Sequence, residues 1–365
     1  MNLDQITSPT LLLDKTKCLD NINFMVRKAK KHGLLLRPHF KTHQSRIIGN
    51  WFRRAGISKI AVSSVKMAEY FAQEDWKDIT IAFPANIREI DHINSLAEEI
   101  QLNLTIENEE SAMFLNKELI YPVDFFIKID TGYKRTGINF DQFETIDRIL
   151  NKIKNSKVLN FKGFLCHAGN TYRASNSDEV VEIHTDSLKK LTLLKNHYIN
   201  NYPDIIISIG DTPSCAIAED FSGVDEVRPG NFVFFDLMQV TIGACTQDQI
   251  AIVMACPIVA KHPVRKEVIL HGGAVHFSKE CIQMDNQNIY GKMLSLNESG
   301  WVSQYDNCYL TKVSQEHGTL QVTEKVFEQI QVGDLVGILP VHSCLTANLM
   351  KEYLSIDDEI IDHLS

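Results

Sequence analysis

From about residue 20 to about residue 240, short continuous apolar runs alternate with longer amphipathic ones. The apolar runs predict strands at 34–40, 58–63, 79–83, 102–106, 123–129, 158–166, 205–209 and 225–227. The longer runs predict helices, among them 21–32, 43–55, 64–73, 87–100, 109–119 and 178–200. Strands that are apolar throughout, without polar alternation, are those of a parallel sheet covered on both faces. Eight of them interleaved with helices over about 220 residues fit an α/β chain folded as a (β/α)8 TIM-type barrel. A doubly wound open sheet is the alternative, but it would use fewer units and a glycine-rich first turn, which the chain lacks.

After about residue 245 the pattern changes. Strand-like runs at 249–259, 267–270, 308–313, 319–322 and 335–338 are set apart by turn signals such as His262-Pro263 and Val332-Gly333-Asp334. These runs predict a mostly β C-terminal domain over 246–365, behind a barrel over 15–245. The strand-like opening run 10–13 precedes the first helix, so residues 1–14 are expected to join the second domain.

Composition narrows the function class. Hydrophobic residues at 44% and charged residues at 23% of 365 suit a soluble chain with a large core. A net charge of −9 argues against nucleic acid as a partner, because phosphate backbones demand clustered Lys and Arg. No apolar run approaches the roughly 20 residues of a membrane span, and the first residues do not read as a secretory leader. The eight cysteines are scattered without a Cys-x-x-Cys pair, which suits a reducing compartment, so the cytoplasm is the expected location.

Three motifs could carry chemistry. Arg37-Pro38-His39-Phe40-Lys41-Thr42-His43 ends the first barrel strand, and period-two alternation puts Arg37, His39 and Lys41 on one face. One reading is a solvated basic turn. The other is an amine made nucleophilic by burial and neighbouring positive charge at the catalytic end of a barrel. Ser208-Ile209-Gly210-Asp211-Thr212-Pro213-Ser214 follows a late strand and reads either as ordinary helix capping or as an anion cradle of backbone N–H groups and hydroxyls. Val341-His342-Ser343-Cys344, taken as extended, points an imidazole and a thiol the same way. That is half a zinc site, or else a buried cysteine beside a satisfied histidine. Weaker clusters are 128–135, which carries Arg135; 166–172, which carries His167 and Tyr172; and the paired histidines of His271-Gly272-Gly273-Ala274-Val275-His276. Histidines 32, 92, 184, 197 and 262 read as surface residues.

Together, Ser8-Pro9-Thr10, RPHFKTH, KIDTGYKRTG, HAGNTY, SIGDTPS, EVRPGNFVFFD, SQEHG and GDLVGILPVHSCLTANL resemble, in order and spacing, the D-serine dehydratase and D-threonine aldolase family. These are fold-type III pyridoxal-phosphate enzymes related to alanine racemase, and the resemblance covers nearly the whole chain. It implies that Lys41 carries pyridoxal 5'-phosphate and then acts as general base. It further implies that His39, Arg135, His167 and Tyr172 line the cofactor, that Gly210, Asp211 and Thr212 hold its phosphate, and that His342 and Cys344 bind a divalent metal, expected to be Zn2+. The implied substrate is a small D-amino acid and the implied assembly a homodimer. His-x-Cys resembles the dehydratases, which release ammonia and a 2-oxo acid, whereas His-x-Asp is the aldolase pattern. Retro-aldol cleavage, racemisation and a non-enzymatic cofactor carrier stand as the alternatives. Where many relatives have Asp-Ala-Gly, this chain has His271-Gly272-Gly273.

Overall fold

The computed structural model describes residues 1–302 and 305–365. The chain forms two compact units. One comprises 23–41 and 49–230; the other comprises 1–22, 42–48 and 231–365.

The first unit is a parallel barrel. Its strands are hydrogen-bonded in the order Leu35–Leu36, Glu226–Val227, Ile206–Ile209, Leu159–Cys166, Val123–Asp130, Gln101–Ile106, Asp78–Pro84 and Lys59–Val62. The two ends of this series meet through a parallel bridge between His39 and Ala61. There the Phe40 N–H donates to the Ala61 carbonyl at 2.8 Å and the Ala61 N–H to the Pro38 carbonyl at 3.0 Å. The strand expected at 34–40 is regular only over Leu35–Leu36, because Pro38 has no N–H for the ladder. Helices cover the outside with apolar faces. Val65–Ala72, capped by the Ser64 side chain, buries Val65, Met67, Ala68, Phe71 and Ala72. Ser177–Tyr198, capped by Asn176, buries a stripe that includes His184. The surface reading of His184 is therefore corrected: its Nε2 donates to the Asp220 carbonyl at 2.7 Å, which lets the ring sit inside.

The second unit is built on an antiparallel sheet. Glu267–His271 pairs with His317–Gln321 and also with Ile252–His262. The path between them runs through Tyr309–Val313, Gly291–Asn297 and Leu335–Pro340, so six strands close on themselves. Thr10–Leu13 pairs antiparallel with Ile252–His262, so the opening strand joins this sheet as its pattern predicts. The unit takes up the chain from Asn231 onward, earlier than a border at 245/246. Hydrogen bonds explain the earlier start: Asp236 accepts from the Ser343 N–H at 3.0 Å and from Asn231 Nδ2 at 2.6 Å. Among the described residues no helix is long and apolar enough to cross a membrane.

Candidate active site

Lys41 follows the His39–Ala61 bridge at the C-terminal end of a barrel strand, where barrel enzymes place their chemistry. Its N–H donates to His39 Nδ1 at 3.4 Å. His39 is held well below its ordinary pKa, first by burial and then by the charges of Lys41, Arg228, His167 and Lys128. His167, on the turn after Leu159–Cys166, is lowered in the same way by burial, Lys41, Lys128 and Arg135, and its Nδ1 donates to the Gly210 carbonyl. Both imidazoles are neutral at physiological pH. The Lys128 ammonium is brought down to about 7 by burial, with Arg228 and Arg135 adding to it. Burial likewise lowers Arg228, to about 10. Lys41, Lys128, Arg135 and Arg228 thus form an electropositive cluster around two neutral rings, an environment suited to a multiply charged anion.

Local turns set this geometry. Asp130 accepts from the N–H groups of Gly132 and Lys134, both at 2.8 Å, and so folds the segment that carries Arg135. Arg135 itself is exposed and lies over the Tyr133 ring, 5.0 Å from its centroid. Tyr133 and Tyr172 flank His167, with ring centroids 6.2 and 6.1 Å away. A side chain on Gly169 would strike the Tyr133 ring at 2.3 Å, so this turn requires glycine.

In the turn at 210–214, Asp211 is the N-cap of the helix Thr212–Ile217 and accepts from the Ser214 N–H at 2.8 Å and from Thr171 Oγ1 at 3.0 Å. Its carboxylate is occupied in shaping the turn. Thr212 donates its N–H to the Tyr172 hydroxyl at 3.1 Å. The hydroxyls of Thr212 and Ser214, by contrast, are buried without a protein partner. Orphaned hydroxyls at a helix start beside a cationic cluster are what a phosphate would satisfy. Gly210 packs against Arg228, whose Nη1 would lie 2.7 Å from an added Cβ.

His342 and Cys344 lie in the other unit, and the extended conformation expected for the pair is only half present. His342 is extended, but it is the N-cap of the helix Ser343–Met350, so Cys344 sits in a first helical turn. Cys344 Sγ lies 3.3 Å from Thr42 Oγ1 and 3.6 Å from Asn231 Nδ2. Burial opposes charge on both groups, yet each favours the other's charged form. The imidazole rises to about 9 and the thiol falls below its usual value, helped by Thr42. His342 Nδ1 is buried with no partner. A cysteine sulfur beside an unsatisfied imidazole nitrogen is a donor set for a borderline-soft divalent metal such as zinc, which binds the thiol as thiolate.

Lys128 and Arg228 belong to these surroundings although neither is among the cofactor-lining residues expected from the sequence, and Ser214 is one of the hydroxyls of the anion cradle expected there. A signal for the first two was there, since period-two alternation at strand ends pairs Lys128 with Asp130 and Glu226 with Arg228. Arg37, expected on the face of Lys41, is committed elsewhere, to Asp78 and Glu226 inside the barrel.

The family model described as "Alanine racemase, N-terminal domain" matches residues 13–237, more than half of the chain. The chain belongs to this family. A second model, "Putative serine dehydratase domain", matches 251–356, so the alanine racemase-like barrel is followed here by a dehydratase-type domain. D-serine dehydratase of Dictyostelium discoideum is 27% identical across 99% of this chain and 96% of its own length. D-threo-3-hydroxyaspartate dehydratase of Delftia sp. HT23 is 25% identical across 96% of this chain and 94% of its own. Its solved structure superposes with a TM-score of 0.90 at 24% identity, covering 99% of this chain and 98% of that one. Solved forms of the same dehydratase include a cysteine mutant in the metal-free form. D-threonine aldolase from Filomicrobium marinum shares the alanine racemase-like fold, with a TM-score of 0.85 at 17% identity over 99% of this chain and 95% of that one.

Proposed function

We propose that this chain is a pyridoxal-phosphate- and metal-dependent D-amino acid lyase of the dehydratase type, releasing ammonia and a 2-oxo acid. The observation that carries dehydration over retro-aldol cleavage is Cys344, a thiol with a lowered pKa where the aldolase pattern has a carboxylate. In this reading Lys41 anchors the cofactor, Thr212 and Ser214 hold its phosphate by their unsatisfied hydroxyls, and His342 with Cys344 holds the metal, taken as Zn2+. When bound, the cofactor supplies an electron sink for negative charge at Cα and the metal a Lewis acid for a substrate hydroxyl.

The chain's own groups divide the remaining work. Lys41 Nζ takes the proton from Cα. His39 and His167, held neutral, line the cofactor without adding charge to that cluster. Tyr172 and Arg135 line it from the adjoining turns. Gly210 admits close approach, and Asp211 fixes the helix start from which the hydroxyls point. A homodimer in the cytoplasm completes the proposal. Eight free cysteines suit that reducing compartment.

Product analysis tests the reaction. With cofactor- and zinc-loaded protein, D-serine is expected to give pyruvate and ammonia, and D-threonine 2-oxobutanoate and ammonia. Glycine and acetaldehyde from D-threonine would overturn the proposal in favour of the aldolase. A second measurement tests the phosphate cradle. Replacing Thr212→Val together with Ser214→Ala removes two hydrogen bonds to a charged group, each worth about 1.5–3 kcal/mol. Cofactor affinity, read by absorbance titration, is expected to fall about 100-fold or more. Unchanged affinity would remove these hydroxyls from the site.

A further inference from the structure

Outside that machinery, the second unit brings two imidazoles and a carboxylate together. The structure assigns His271, His276 and Glu316 to a divalent transition-metal site, separate from His342 and Cys344. One ligand atom from each of the three lies within 4.8 Å of the others. His271 Nε2 and His276 Nε2 are each 3.8 Å from the same carboxylate oxygen, Glu316 Oε2. The two rings stand nearly perpendicular, at 86°, with centroids 5.8 Å apart. At 3.8 Å neither nitrogen hydrogen-bonds the carboxylate, and the separation is close to the edge of a zinc tetrahedron, about 3.4 Å for bonds near 2.1 Å.

The backbone beneath the three side chains is already fixed. His271 ends the strand Glu267–His271 and stands opposite His317. The next residues dock on the turn that carries Glu316. The Gly272 N–H donates to the Glu316 carbonyl at 2.9 Å, Ala274 to Ser314 at 2.6 Å and Val275 to Gln315 at 3.2 Å. Gly273 permits this approach, since an added Cβ would lie 2.4 Å from the Ser314 carbonyl oxygen. The same glycine donates its N–H to His276 Nδ1 at 3.1 Å, which aims Nε2 at Glu316. Ligation at Nε2 moves the ring proton to Nδ1 and gives up that single contact. Glu316 is half-exposed and free to close on an ion. Two imidazoles and one carboxylate select zinc, cobalt or nickel over magnesium and calcium, which prefer all-oxygen shells. The ion also has a structural reach. The short helix Ala274–Phe277 contacts Ser343–Met350, the helix that carries Cys344, through the Thr346 hydroxyl and the Phe277 carbonyl at 3.4 Å.

Equilibrium dialysis of untagged, cofactor-loaded, chelator-stripped protein against Zn2+, with metal counted per chain, tests the assignment. Wild type is expected to hold two ions, and Glu316→Gln and His271→Asn one each. His342→Ala is also expected to hold one, retained at His271, His276 and Glu316. If Glu316→Gln and His271→Asn both bind as much zinc as wild type, the assignment falls. If wild type holds one ion, lost in His342→Ala alone, the assignment again falls while the family-type site stands. One ion lost only in Glu316→Gln would uphold the assignment and sink the His342–Cys344 reading. A Co2+ titration of wild type gives a check that needs no variant. The second equivalent should show d–d absorption without a thiolate charge-transfer band, and a thiolate band on both equivalents would overturn the site.

Discussion

Lys41→Ala is expected to lose turnover by about 1,000-fold or more, since it removes both the cofactor's anchor and a general base, a role worth about 100- to 10,000-fold alone. The structure makes the test sharper than usual, because it supplies a rival amine. Lys128 is buried, its ammonium is lowered to about 7, and it influences the same two imidazoles as Lys41. About half of Lys128 is the nucleophilic neutral form at pH 7. Borohydride reduction of the loaded enzyme followed by peptide mapping decides between them. The label is expected on Lys41 in wild type and in Lys128→Met, and is expected to vanish in Lys41→Ala. A label on Lys128 in wild type would move the anchor four strands around the barrel, to its opposite side, and overturn the assignment. Lys128→Met should instead change the electrostatics. Removing that partial charge lets His39 and His167 rise toward their ordinary values, because Lys128 is among the charges that lower each of them. The acid limb of the rate profile is then expected to move to higher pH.

The barrel was legible because its strands are apolar without alternation, so each of eight runs stood out against its flanking helices. The motifs at the strand ends were legible because chemistry-bearing residue types cluster there. What could not be read was the state of each group. Arg37, His39 and Lys41 lie in one segment and alternate alike, yet Arg37 is consumed by two carboxylates from strands far away in sequence. Asp211 had the chemistry of a ligand-binding turn and serves as a cap, while the neighbouring Ser214 hydroxyl lies free. The helix beginning at Ser343 was hidden for a similar reason: the run 335–338 predicts a strand, His342 and Cys344 read as extended, and nothing local marks His342 as a helix cap. The strand Gly291–Asn297 was missed because Lys292, Ser295 and Asn297 break its apolar pattern, and only its pairing with Leu335–Pro340 defines it.

Arg37→Met is expected to destabilise the fold by about 3–5 kcal/mol, the usual effect of breaking a buried ion pair by removing one partner. Arg37 Nη1 lies 2.6 Å from Asp78 Oδ1, and Nε lies 2.7 Å from Glu226 Oε2. The guanidinium is 4% exposed and Glu226 1%, so water cannot substitute for it. Asp78 keeps partial support from Lys59 at 3.0 Å and Asn103 at 3.0 Å, whereas among the described residues Glu226 keeps Ser208 at 2.5 Å and the more distant Arg228 at 4.0 Å. Most of the loss should therefore come from Glu226. The double variant Arg37→Met, Glu226→Gln is expected to recover part of it, so the two effects will not add. The pH dependence carries a sign. Burial pushes the Asp78 carboxyl up, but Arg37 and, less strongly, Lys59 together outweigh burial, and its pKa is lowered in the folded protein. A lowered carboxylate stabilises the fold above its unfolded value of about 3.9, and that contribution is lost as pH falls through the folded value. In Arg37→Met the larger part of the lowering is gone, and burial, opposed only by Lys59 among the causes of that shift, moves the carboxyl toward the protonated acid. The gap between wild type and variant should thus be widest near pH 7 and narrow toward pH 4, as read by urea unfolding at both. A gap that stays constant would mean that Arg37 contributes through packing of its stem and not through its charge.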